Sequence, residues 1–239
     1  MMRTRAIKPN IGRRTWANFE EFMDRHEETP WLFRGVKNSS YNLIPKAGRV
    51  DDMPDKGYDP EREFRLFNNF IRHARAYSSL SASNKWDWLF LAQHHGLPTR
   101  LLDWTSNPLV AAFFAVKDVA QSEDDTEAVI FAVKIDRKMI VNTEKDADPF
   151  LINGVHFVAP SAITGRLVSQ KGFFTIHGPP NEDWNNPQQT EDRFLIPADA
   201  KRFFRKRLFK RGVDHAHIMA DLDGLCQTLA WQYRHAWLL

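Results

Sequence analysis

The spacing of apolar residues predicts most of the secondary structure. Trp16, Phe19, Phe22 and Met23 recur every three or four positions, which predicts a helix over 15–27 with Thr15 as its cap and Pro30 beyond its end. Trp31–Val36 is aromatic and aliphatic without that period and reads as a short strand. Residues 46–58, rich in Lys, Asp, Gly and Pro, read as a loop. Asp59-Pro60-Glu61 then places a cap, a first-turn proline and an acid in series. It opens a helix whose apolar face would hold Phe64, Phe67, Phe70, Ile71, Ala74 and Tyr77. A helix from Asn84 to His94 carries Trp86, Leu89 and Phe90, and Gly96 and Pro98 stop it. Ser106-Asn107-Pro108 starts the next, with Leu109, Ala112, Phe113 and Val116 as its buried stripe. Ala111, Ala112 and Ala115 leave room there for another element to come close.

Residues 127–135, a nearly unbroken apolar run, predict a buried strand, and 165–176 and 193–196 hold two more strand candidates. A helix is expected from Pro197 or Ala198 to Arg211, closed by Gly212. The last helix starts at Asp221 or Asp223, with Leu222, Leu225, Leu229 and Tyr233 on one side. Cys226 falls in the same amphipathic pattern, as a buried structural thiol. Helices and strands mix without strict alternation. The expected class is therefore α+β, a helical N-terminal half packed on a small mixed or antiparallel sheet. Residues 15–239 form one domain in this reading, preceded by a basic arm, 1–14.

Composition narrows the function. The 239 residues are 43% apolar and 13% aromatic, enough for a sizeable core of large rings. A single cysteine excludes an intramolecular disulfide and suits a reducing compartment. The chain has no membrane-length apolar run and no apolar segment behind its basic start, so no membrane partner is expected and a cytoplasmic location is. The net charge of +3 is uneven: 1–14 and Lys201–Arg211 are basic without an acid, and the remainder is net acidic. In 201–211, Phe203, Phe204 and Phe209 alternate with cations. That pattern would serve a nucleic acid by phosphate contacts and base stacking, or a solvated helix whose rings face the core.

Candidate chemistry concentrates in two segments, and neither is a Walker loop, a dinucleotide glycine fingerprint, an HExxH or a CxxC. An arginine inside an apolar strand, Arg34, needs an anion or carbonyls for its guanidinium. Gly35 beside it permits a close backbone approach. Arg34 would anchor an anionic ligand or make an internal salt bridge to Asp103. The second segment, Gln93 to Pro108, gathers an amide, two imidazoles, a guanidinium, a carboxylate and hydroxyls around two turns. His94 is the candidate general base or donor, with His95 the weaker of the two. Arg100 and Asp103 could pair across a turn, or Asp103 could orient Arg34. Thr105, Ser106 and Asn107 are helix caps or, at the same helix start, a phosphate cradle. Further ligands at metal spacing are lacking, so no metal is expected.

The segment WLFRG followed by QHHGLPTRLLDWTSNPLVAAFFA resembles the FRG domain family, named for its Phe/Tyr-Arg-Gly motif. Arg166–Phe174 and Ala220–Leu225 look like its later blocks, so the resemblance runs from Trp31 to Leu229. His95 stands where the family more often has Tyr. A more remote likeness is to the ADP-ribosyltransferase plan, which implies that fold and NAD as substrate. It gives Arg34 the role of phosphate or ribose anchor, Thr99 or Thr105 a place at the nicotinamide pocket, and Gln170 the position of the late polar residue. Gln170 is an amide and can only orient a ribose, so Asp103, Asp221 or Asp223 would have to supply a carboxylate. Catalytic candidates are then Arg34, His94, Asp103 and Gln170. Binding candidates are Arg34, Gly35, Gln93, Thr99, Arg100, Thr105 and Asn107. Two other expectations stand beside an NAD- or nucleotide-binding enzyme: a non-catalytic nucleic-acid or phosphate binding module, and a toxin-like or phage-defence effector. No expectation for oligomeric state emerges.

Overall fold

A computed structural model describes residues 11–28, 31–49, 57–77, 84–118, 126–145, 148–160, 172–184 and 192–235. The strands are β1 (Trp31–Val36), β2 (Leu101–Thr105), β3 (Ala128–Lys134), β4 (Gly154–Val158), β5 (Gly172–Gly178) and β6 (Arg193–Ile196). They form one six-stranded sheet in the order β4-β5-β2-β1-β3-β6, antiparallel at every pairing. The helices are α1 (Ile11–Arg25), α2 (Pro60–Ala74), α3 (Lys85–His94), α4 (Pro108–Val116), α5 (Ala198–Lys210), α6 (His215–Met219) and α7 (Leu222–Arg234). The class is α+β.

Side chains alternate across each strand, so the registers assign them to two faces. Phe33, Ile130, Ala132 and Ile196 share one face and pack with α1, α4 and α5 around Phe19, Phe22, Phe113 and Phe204, all four fully buried. Leu101, Phe174 and Ile176 lie on the same face, where α2 and α3 cover them with Phe67, Trp86 and Phe90. The helices thus form two groups, one over β1-β3-β6 and one over β2-β5-β4. On the opposite face Leu32, Leu102, Trp104, Val129, Phe131 and Phe157 are buried with Leu43 from a loop, and the half-buried Trp184 packs against them.

The caps read from sequence hold the helices in place. Asp59, Asn84, Asn107 and Asp221 each accept a backbone N–H of their helix's first turn. Small residues on α4 do what their spacing implies. The α4 backbone lies so close to β1 that a Cβ on Gly35 would stand 1.8 Å from the Ala111 carbonyl oxygen. Gly35 lies beside the ligand-binding candidate Arg34, but its absent side chain is what lets α4 dock.

Several expectations are corrected. Within the described residues the first helix already runs from Ile11, with Gly12 against the Phe203 ring of α5; Thr15 lies inside it and donates to the Ile11 carbonyl. Residues 11–14 therefore belong to the helix and not to a basic arm. Of the face expected for α2, Phe67 is buried together with Glu63, Phe70, Ile71 and Ala74 pack partly buried against the same core, and Phe64 and Tyr77, the latter beyond the end of α2, are exposed. On α7 the expected buried stripe is the exposed one: Leu222, Leu225, Leu229 and Tyr233 face outward, as does Cys226. Gly224, Thr228 and Trp231 turn inward instead, with Gly224 against the His215 carbonyl and Trp231 on the Phe209 ring. The 201–211 segment is not one cationic stripe. Lys201 is buried and donates to the Lys37 carbonyl, and Arg205 is buried between the Phe113 and Trp231 rings, donating to His215 Nδ1. Phe204 is in the core and Phe203 lies against it, so neither ring is offered to a base.

A cation-lined cleft where the sheet parts

β1 and β2 are neighbours at the centre of the sheet, yet their register is a single pair, Phe33 with Thr105. Each strand is paired along its length on the other side, β1 with β3 and β2 with β5. Past Phe33 and Thr105 the two strands part. The gap opens into a cleft of about 410 Å³ lined by Phe33–Lys37, the whole of β2, Tyr41, Lys46 and Arg49 of the following loop, Gln93 and Leu97, and the α4 side from Ala111 to Asp118.

Arg34 sits in the split. Its side chain is only 14% exposed, and its Nη1 donates to the Asp103 backbone carbonyl at 2.7 Å, filling a place that a ladder N–H would take were the strands closed. The same Nη1 is 3.8 Å from Asp103 Oδ2. Nε is buried and has no partner. Burial pulls the guanidinium pKa down; the Asp103 carboxylate works against that, and the nearby Arg49 adds to it. An arginine nevertheless keeps its charge in a protein, so a cation is held at the base of the cleft.

Asp103 is the unusual residue of β2. Its neighbours in the strand are buried, yet its carboxylate is 59% exposed, on the helical face at the seam between the two helix groups. A short hydrogen-bond chain fixes it: Thr99 Oγ1 donates to Gln93 Oε1 at 2.5 Å, and Gln93 Nε2 donates to Asp103 Oδ2 at 2.9 Å. Thr99 Oγ1 in turn accepts the Leu101 N–H. Thus Gln93 and Asp103 stand at the cleft, while Thr99, itself buried, orients them from behind.

The other candidates separate. Arg100 does not pair with Asp103. It is buried in a two-pronged ion pair with Glu63 of α2, Nε to Oε1 at 2.9 Å and Nη2 to Oε2 at 2.6 Å, over the Phe150 ring. That geometry ties β2 to α2 and turns Arg100 away from any ligand. Thr105 lines the cleft and accepts the Asn107 N–H, whereas Asn107 is the α4 cap and lies outside the lining. His94 ends α3 with its ring against His95 and is not among the residues lining the cleft. Gln170 and the candidate block around it, up to 171, lie outside the described residues. Asp221 caps α7 and does not line the cleft; nor does Asp223. Among the described residues no group of three or more His, Cys, Asp or Glu could hold a metal ion, and no helix is long and apolar enough to cross a membrane.

Sequence reasoning missed the rest of the wall. Lys37, Lys46, Arg49 and Lys117 join Arg34 there, against the carboxylates of Asp103 and Asp118, and Lys117 pairs with Asp118 at 3.0 Å. Three of these cations follow Arg34 within fifteen residues, a signal visible in the chain, with Lys46 and Arg49 submerged in the 46–58 segment read as loop. His177 was missed as well. It is fully buried on the sheet face that also carries Arg34, with Nε2 2.9 Å from Thr175 Oγ1, which also accepts the Trp104 indole N–H. Burial, and then the Arg34 charge, push its pKa down to about 3, so it stays neutral.

An open antiparallel α+β protein with a cation-lined cleft in a parted sheet is the class that fold and site define. Residues 29–124 match the family model described as FRG domain. Every residue lining the cleft falls inside that matched segment. No curated protein and no solved structure matches the chain.

Proposed function

We propose that the cleft binds a small phosphate-bearing nucleotide, with Arg34 as the anchor for its phosphate. The observation that carries this reading is a guanidinium built into the parted sheet, with Lys37, Lys46, Arg49 and Lys117 around it and only the carboxylates of Asp103 and Asp118 against them, a cationic excess that an anionic ligand would neutralise. Tyr41, 47% exposed at the same cleft, supplies an aromatic face for a base. NAD is the ligand that the likeness to ADP-ribosyltransferases brings forward, and Asp103 supports it. A carboxylate held beside the anchoring arginine is the group that would steady positive charge developing on a ribose as nicotinamide leaves. Gln93, which donates to that carboxylate, is a positioning residue in this reading.

Titration calorimetry with AMP, ADP, ADP-ribose and NAD tests the binding. The reading expects ADP and ADP-ribose to bind more tightly than AMP, with affinity falling as salt is raised. Release of nicotinamide from NAD, lost in Asp103→Asn, tests the chemistry. No binding of any of the four at millimolar concentration defeats the nucleotide reading. Binding without nicotinamide release retains the module and removes the enzyme.

A further inference from the structure

The sequence places Leu222, Leu225, Leu229 and Tyr233 on one side of the last helix as if that side were buried, and among the described residues nothing covers it. The four side chains are 73%, 43%, 47% and 74% exposed. At a helical period they fall at i, i+3, i+7 and i+11, a stripe down one side of α7 with Cys226 within it. The opposite side of α7 is already used by Gly224, Thr228 and Trp231. The helix is therefore apolar on two sides and satisfied on one.

We infer that this stripe is the two-fold interface of a homodimer, with α7 of one chain packed antiparallel on α7 of a second copy. Charge selects that occupant. Asp221 and Asp223 open the helix and Arg234 closes it. In an antiparallel pair the acidic end of each helix meets the basic end of the other, twice, by symmetry. A parallel pair would set acid against acid. The same arrangement brings Leu222 opposite the partner's Tyr233 and crosses the helices between Leu225 and Leu229. It sets the two Cys226 residues near each other, close to the axis. The stripe belongs to one helix about 20 Å long, so the dimer is a weak one and its population follows concentration.

Sedimentation velocity on the full chain, from micromolar to several hundred micromolar, tests the inference. The expected result is a shift toward twice the 27.8 kDa chain mass with rising concentration. Leu225→Glu with Leu229→Glu should abolish that shift. Both side chains are partly exposed in the single chain, so a far-UV spectrum and a thermal melt close to wild type are expected for the variant. Cys226, the chain's one cysteine, gives a second readout. A short bis-maleimide should cross-link wild type to a dimer and fail on Leu229→Glu. A mass that stays monomeric at every concentration overturns the interface. So does a dimer that survives the double substitution, because it would then form elsewhere. Retained nucleotide binding in the monomeric variant would show that cleft and interface stand or fall separately.

Discussion

Breaking the Arg100–Glu63 pair is the sharpest perturbation of the fold around the cleft. Both residues are almost fully buried, Arg100 at 4% and Glu63 at 7% exposure. In Glu63→Gln the guanidinium loses its charge partner. It keeps the Tyr58 hydroxyl at 3.2 Å and the Pro149 and Phe150 carbonyls at 3.4 Å. Those carbonyl bonds are long and compensate little, and the new amide turns a donor toward another donor. Removing one member of a buried ion pair costs about 3–5 kcal/mol. With the surviving acceptors the lower end applies, about 3 kcal/mol, which for a chain of this size lowers Tm by roughly 6–12 °C. Urea unfolding followed by tryptophan fluorescence gives the free energy. The double variant Glu63→Leu/Arg100→Met removes both charges and should return to within about 1 kcal/mol of wild type. A Glu63→Gln variant as stable as wild type, or a double variant that adds two independent losses, refutes the assignment of Arg100 as a structural tie between β2 and α2.

Three further outcomes follow from the packing and the buried imidazoles. Gly35→Ala sets a methyl group 1.8 Å from the Ala111 carbonyl, so α4 must move off β1. A loss at or above the overpacking range of about 1–3 kcal/mol is expected in thermal unfolding, together with weaker ligand binding; an unchanged melt would contradict the close approach. His177 and His215 are held neutral with pKa values pushed down to about 3 and about 4, burial being the larger cause in both. In the unfolded chain they take up protons from about pH 6.5 downward. Stability is therefore full above that pH and falls toward pH 4, by roughly 2 kcal/mol at pH 5 from His177, with a smaller, solvent-screened share from His215. Urea midpoints at pH 7.5 and 5 measure this, and equal midpoints would show that the two rings are not buried neutral. His177→Gln should flatten the profile.

The sequence made the helices legible because their ends carry chemistry. The caps Asp59 and Asn84 and the prolines at 60 and 108 hold as read, while Asn107 and Asp221 are the capping members of the sets Thr105–Asn107 and Asp221 or Asp223 that the sequence leaves open. β1 and β3 were legible as apolar runs. β2 was not, because Asp103 interrupts Leu101–Thr105 with an exposed carboxylate in mid-strand, and only its neighbours across the sheet make it a strand. β4 and the five-residue α6 carry too little periodicity to register. The first helix includes Ile11–Arg14, ahead of the expected cap, where Phe203, distant in sequence, packs on Gly12. At the site, Arg34 contacts the Asp103 carbonyl with the carboxylate alongside, an arrangement that the order of residues does not show. Arg100 went astray because its partner, Glu63, is 37 residues away. Gln93 is a binding candidate from the sequence, but its hydrogen bond to Asp103 is a three-dimensional fact. The α7 stripe was read correctly as apolar and wrongly as buried within one chain.

Replacing Arg34 tests the central claim most directly. Arg34→Met keeps the buried volume and removes the charge and the donor at the foot of the cleft. A charge-assisted hydrogen bond is worth about 1.5–3 kcal/mol, so ADP-ribose should bind roughly 10- to 150-fold more weakly by calorimetry, in a protein whose spectrum matches wild type. Affinity equal to wild type in that folded variant would contradict the account, because the ligand would then be bound somewhere other than the parted strands.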